Sequence, residues 1–90
     1  MWEVKIGDAA GQFFSSRRKT AAGLVRLAER RMEQGRTLNF TVLRLDAKDR
    51  PEWDASHDVA QVFAAIGWPA SGCDAQREET TDVLEAILSA

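Results

Sequence analysis

Apolar and charged residues alternate strictly at the start of the chain. Trp2, Val4 and Ile6 face one way and Glu3 and Lys5 the other, the period-two signature of a half-buried strand. Gly7-Asp8-Ala9-Ala10-Gly11 then predicts a turn, and the adjacent Phe13 and Phe14 are assigned to the core. The period next changes to that of a helix. Ser15 or Ser16 is placed to cap it and Gly35 to end it with a positive φ. At 100° per residue, Ala21, Leu24, Val25, Ala28 and Met32 share one face with Leu27 at its margin. Lys19, Arg26 and Arg30 form a line opposite, Arg17, Arg18 and Arg31 lie nearer the flanks, and Gly23 falls on the polar side.

A second strand is expected from about Leu38 to Leu45, with Leu38, Phe40 and Val42 on one side and Thr41, Leu43 and Leu45 on the other. Both sides are largely apolar, which predicts cover on both faces. The strand–helix–strand order allows a parallel crossover. After the polar loop "DAKDRPEWDAS", where Asp49 and Glu52 bracket Pro51 in one expected helical turn, Val59, Val62, Phe63 and Ile66 recur at i, i+3, i+4 and i+7. Asp54 or Ser56 caps that helix and Gly67 stops it, with Trp68 placed to contact Phe63 and Pro69 barring continuation. A last helix carries Val83, Leu84, Ile87 and Leu88, starting either at Asp74 or at Thr80 or Thr81. The pattern predicts an α+β fold in the order β-α-β-α-α. A small two-stranded sheet packs on three helices, and so thin a sheet implies either a further strand that the pattern does not reveal or completion by a second copy in a homodimer.

Ninety residues, 44% hydrophobic and 29% charged, suit one folded domain spanning 1–90. The chain has one cysteine, Cys73, and therefore no intramolecular disulfide. There is no basic-then-apolar leader, and the longest apolar run, Val62 to Ala70, is too short to cross a bilayer. These features predict a soluble cytoplasmic protein with no membrane partner. The net charge of −2 hides a division. Residues 1–50 hold eleven Lys or Arg against six acids, and residues 51–90 hold one against eight. Such polarity bears on partners and encounter rates rather than on fold.

Candidate chemistry is sparse. The strand–"GDAAG"–helix placement lacks the lysine and hydroxyl of a phosphate loop, because Gln12 and Phe13 follow the second glycine. "EWDASHD" gathers Glu52, Asp54, His57 and Asp58, but a single histidine makes poor zinc chemistry, and acids in a first helical turn already complement its dipole. Cys73 beside Asp74 has no partner base, and no serine sits in a nucleophile elbow. Neither a metal nor a cofactor is expected.

Trp53, flanked by Glu52 and Asp54, has no obvious structural place, and tryptophan is enriched in interface hot spots. The competing reading makes it a cover over the sheet's second face. Hence the leading expectation is a non-enzymatic regulator or inhibitor that binds a basic protein surface through Glu52, Trp53, Asp54 and Asp58. Small phage and plasmid accessory proteins share these dimensions, an association of size only. The alternative is nucleic-acid binding by Arg17, Arg18, Lys19, Arg26 and Arg30. Against it stand Glu29 and Glu33 beside the stripe, no interleaved aromatic, and a pI near 5.3. A small cofactor-free enzyme is a third reading. From Leu38 onward the order strand, helix, helix, with "VLRLD" in the strand, loosely resembles a ribbon-helix-helix repressor. The proline-containing loop and the helix spacing depart from that pattern, and no residue role is carried over.

Overall fold

The computed structural model describes residues 1–7, 9–35, 39–66 and 74–89. The elements run β1 (Trp2–Ile6), β2 (Gln12–Phe14), α1 (Arg17–Glu33), β3 (Phe40–Leu45), β4 (Pro51–Asp54), α2 (Ser56–Ile66) and α3 (Asp74–Leu88). The strands form one antiparallel sheet in the order β2-β1-β3-β4. The fold is α+β, as the hydrophobic pattern predicts, but the sheet has four strands rather than two. Both additional strands lie at edges. One contains three residues, and the other is polar and begins with proline.

The extra strand β2 changes the topology. It folds back along β1, pairing Trp2 with Phe14 and Val4 with Gln12. The chain therefore enters α1 from a reversed strand, and β3 returns antiparallel to β1, with Val4 opposite Val42. The expected parallel crossover joins β2 to β3 instead, with β1 between them. Residues 51–54 extend along β3 where one helical turn was expected. With four strands supplied by one chain, the sheet needs no second copy to complete it. The strand expected to resemble that of a ribbon-helix-helix repressor is an interior strand of this sheet.

One face of the sheet carries the core. Trp2, Val4, Ile6, Phe40 and Val42 are buried against Leu24, Val25, Leu27 and Ala28 of α1, Val59, Val62 and Phe63 of α2, and Leu84 and Leu88 of α3. Phe40 and Phe63 stack with ring centroids 5.2 Å apart. The other face is open rather than covered: Lys5 and Thr41 are exposed and Leu43 is half-buried. Phe13 belongs to this open face because it pairs with Glu3, and it is 59% exposed rather than core. Met32 and Val83 are likewise 36% and 40% exposed, at the margins of their helices. Leu45, expected beside Thr41 and Leu43, is buried. It sits at a bulge: Arg44 faces Trp53 and Leu45 faces Pro51, so one step in β3 meets two in β4 and Glu52 is the extra residue.

The helix ends follow the capping chemistry. Ser16 Oγ accepts the Lys19 N–H at 3.1 Å, and Gly35 at φ 68° follows the last turn of α1. Asp54 Oδ1 accepts the Ser56 N–H at 2.9 Å, while Ser56 Oγ accepts the Val42 N–H at 2.9 Å and ties the start of α2 to β3. The third helix takes the early start, at Asp74. The expected roles of Leu38, Gly67, Trp68, Pro69 and Cys73 fall outside the described residues.

Gly23 is buried, not on the polar side, because the Phe14 ring lies across it. A Cβ built there would stand 2.8 Å from Phe14 Cε1, closer than packed carbons approach. In the native protein Gly23→Ala should therefore destabilise, despite a helix-propensity gain of about 1 kcal/mol. In a Phe14→Ala background the ring is gone, and the same substitution should stabilise by about that amount. Urea unfolding of the four proteins of this cycle checks the change of sign.

Candidate interaction surfaces

The acidic residues singled out in the β4 region are held in local contacts. The bulge brings Glu52 to the Arg44 side chain, Oε1 to Nε 2.9 Å. That Nε is buried and makes no aligned hydrogen bond, so the contact is an ion pair and not a hydrogen bond. Arg44 lies over the Trp53 ring at 5.2 Å and the Trp2 ring at 6.0 Å, and the two indoles meet edge to face at 6.1 Å. Trp53 thus shares the core face with Trp2, half-buried, instead of covering the second face or standing free in a loop. Asp54 is exposed and spent on Ser56. Asp58, half-buried in the first turn of α2, makes no ion pair among the described residues.

The basic helix divides into two sides. Arg18 reaches Asp82 and, at 3.1 Å, Glu85 of α3. Glu29 pairs with Arg77 of the same helix. Arg18 thus brings the cationic front onto the anionic rear along the α1–α3 seam, while Glu29 of α1 joins an acid of the front to Arg77 of α3, the rear's one basic residue. What stays exposed is Arg17, Lys19, Arg26 and Arg30, which make no ion pair among the described residues. Lys19, Arg26 and Arg30 run about 17 Å along the helix at its 1.5 Å rise per residue.

The sequence pattern did not point to the groove between α2 and α3. Val62, Ala65, Val83 and Ile87 wall it, with Asp58 and Gln61 at its edge, around a volume of about 220 Å³. Val83, expected in the core, is 40% exposed, and Ala65 across the groove is exposed as well. Glu79 stands one turn before Val83 on α3, and both Glu78 and Glu79 are exposed. The sequence signal was available. Val83 and Ile87 form a stripe one turn long beside the buried Leu84 and Leu88, wider than one contact line requires.

Two carboxyl groups have pKa values lowered by local hydrogen bonds. Asp46 accepts the backbone N–H groups of Arg50 and Lys48, which closes the β3–β4 turn. Asp54 is lowered first by the Ser56 hydroxyl and then by the Ser56 N–H. Arg18 is raised by Asp82 and Glu85. Among the described residues no three His, Cys, Asp or Glu side chains gather as a metal site, and no helix is long and apolar enough to cross a membrane. The chain matches no family model, no curated protein and no solved structure.

A carboxyl whose folded pKa is depressed adds stability above its unfolded pKa and loses it as pH falls through the lowered value. For Asp54 the loss begins near its ordinary value of 3.8 and continues below it. Asp54→Ala should lower stability at neutral pH by about 0.5–1 kcal/mol, the low end for a capping residue because the side chain is exposed. The difference from the native protein should shrink as the solution is acidified below the carboxylate range. Urea midpoints at neutral and acidic pH check both parts.

Proposed function

We propose that this protein is a non-enzymatic binding module whose α2–α3 face holds a basic amphipathic helix of another protein, regulating or inhibiting that partner by occupying it. The observation that carries the proposal is the apolar groove of Val62, Ala65, Val83 and Ile87 with the Asp58 carboxylate at its edge. Asp58, Glu78 and Glu79 have no ion-pair partner among the described residues. Of the six acids in residues 56–89, Asp82 and Glu85 are held by Arg18, and the unpaired Asp58, Glu78 and Glu79 leave a negative field that an approaching helix meets before the apolar wall. An apolar stripe flanked by Lys or Arg satisfies both features, the helix-in-groove mode of recognition. This reading keeps the protein partner with a basic surface and moves its contact from Glu52, Trp53 and Asp54 to the groove beside Asp58. The reason is that Glu52 and Asp54 already neutralise or cap neighbours within the fold.

A second reading, nucleic-acid backbone binding, rests on the unpaired line of Lys19, Arg26 and Arg30, with Arg17 exposed at the helix start but off that line. Arg18 drops out of that set because α3 holds it. The two readings separate experimentally. A Leu/Lys amphipathic helical peptide should perturb the amides of Val62, Ala65, Val83 and Ile87 and bind more weakly as salt rises. Val83→Glu should reduce its affinity at least about tenfold, roughly 1.4 kcal/mol, whereas Glu52→Lys should leave it unchanged. Equal affinity of Val83→Glu and the native protein would falsify the groove assignment. Retention of a DNA duplex at low salt, abolished by Arg26→Glu with Arg30→Glu, would establish the second reading in its place.

A further inference from the structure

Where the start of β1, the end of β3 and the first turn of α1 converge on the end of α3, the surface is hollowed. The hollow is walled by Trp2, Ser15, Ser16, Arg17, Arg44 and Leu88 and has a volume of about 380 Å³. That size falls within the roughly 300–1,000 Å³ range of small-molecule sites. Two guanidinium groups from separate elements line it, and no wall residue carries a carboxylate. The acids closest along the chain to Leu88, Glu85 and Asp82, are turned to Arg18. Like charges brought into one hollow repel, and burial of apolar surface does not require Arg17 to be there. Glu52 meets Arg44 only at Nε, outside the residues that line the hollow, and Arg17 has no ion-pair partner among the described residues, so an anion is the complement that the hollow itself lacks.

The donors differ in how they are held. Arg44 is held against the paired Trp53 and Trp2 indoles and tethered at Nε by Glu52, with 38% of its side chain still open to solvent. Such a guanidinium loses little freedom when it binds. Arg17 is exposed and without an ion-pair partner among the described residues. Ser15 has no hydrogen-bond partner there either, and Ser16, whose oxygen accepts the Lys19 N–H, keeps its hydroxyl proton to donate. Two arginine forks and two hydroxyl donors outnumber the acceptor positions of a carboxylate and suit the three terminal oxygens of a phosphate monoester. Trp2, 4% exposed, offers a strip of apolar surface to the organic part of the ester, and Leu88, fully buried, closes the floor behind it. We propose that this hollow is a binding site for a phosphate monoester. It shares no residue with the α2–α3 groove, so the two assignments stand or fall separately.

Titration with phenyl phosphate, inorganic phosphate and benzoate, followed by amide and indole proton NMR, tests the assignment. Phenyl phosphate should give saturable shifts at Ser15, Ser16, Arg17 and the Trp2 indole. It should bind more tightly than inorganic phosphate, which lacks the organic group that meets Trp2, and more tightly than benzoate. Arg17→Ala, a change at an exposed position, should weaken phenyl phosphate about tenfold with an unaltered spectrum elsewhere. Arg17→Lys should recover only part of the loss, because a lysine lacks the fork. Arg44→Gln, with its fold checked by circular dichroism, should weaken binding as well. Absence of saturable shifts, equal binding by Arg17→Ala and the native protein, or benzoate or inorganic phosphate binding as tightly as phenyl phosphate would each overturn the proposal.

Discussion

Val4 and Val42 stand opposite each other at the centre of the sheet, and neither exposes any surface to water. Around that pair the whole inner face, from Trp2 to Ile6 on β1 and from Phe40 to Val42 on β3, has to be covered at once, because a one-sided antiparallel sheet is stable only with its apolar face packed. The longest helix meets the requirement with a broad buried side that runs from Thr20 to Ala28. It comes close to the edge strand only because position 23 has no side chain to hold the Phe14 ring away. The two C-terminal helices close the remainder, with Phe63 stacked on Phe40 and Leu84 and Leu88 fully buried. The open face has no such obligation, and Glu3, Lys5 and Thr41 stand on it.

The same packing decides what becomes of the charges. Once α1 and α3 lie side by side, Arg18 faces Asp82 and Glu85, and Glu29 faces Arg77. A sequence divided into a basic half and an acidic half becomes a molecule with a partly neutralised seam. Exposed pairs of this kind contribute little to stability, since solvent screens them. Their effect is to define what is left over: a line of cations on the far side of α1 and a carboxylate-edged groove between the last two helices.

The parts of the fold with a strong period were legible in the sequence. The alternation from Trp2 to Ile6, the i, i+3, i+4 spacing around Leu24 and the run from Val59 to Phe63 each encode a burial requirement. The two edge strands were not legible, for different physical reasons. Gln12–Phe14 is too short to show an alternation, and two neighbouring phenylalanines suggest core when one of them faces water. Pro51–Asp54 is polar and owes its strand to pairing with β3, a contact invisible from local pattern. Missing the first of these strands also reversed the inferred direction of the next one. The surfaces fared similarly. The exposure of Lys19, Arg26 and Arg30 followed from helical geometry, but the fates of Glu52 and Trp53 depended on a bulge. The hollow beside Arg44 joins residues from both ends of the chain, which no window of sequence brings together.

The outer strands have a further consequence. One offers three residues along its free side, and the other offers four, beginning with a proline that has no N–H to give. A neighbouring molecule seeking to extend the sheet finds too few unsatisfied amides at either border to gain a foothold. Edge-to-edge pairing of folded copies is thereby disfavoured, even though Phe13 leaves an aromatic ring in the solvent nearby.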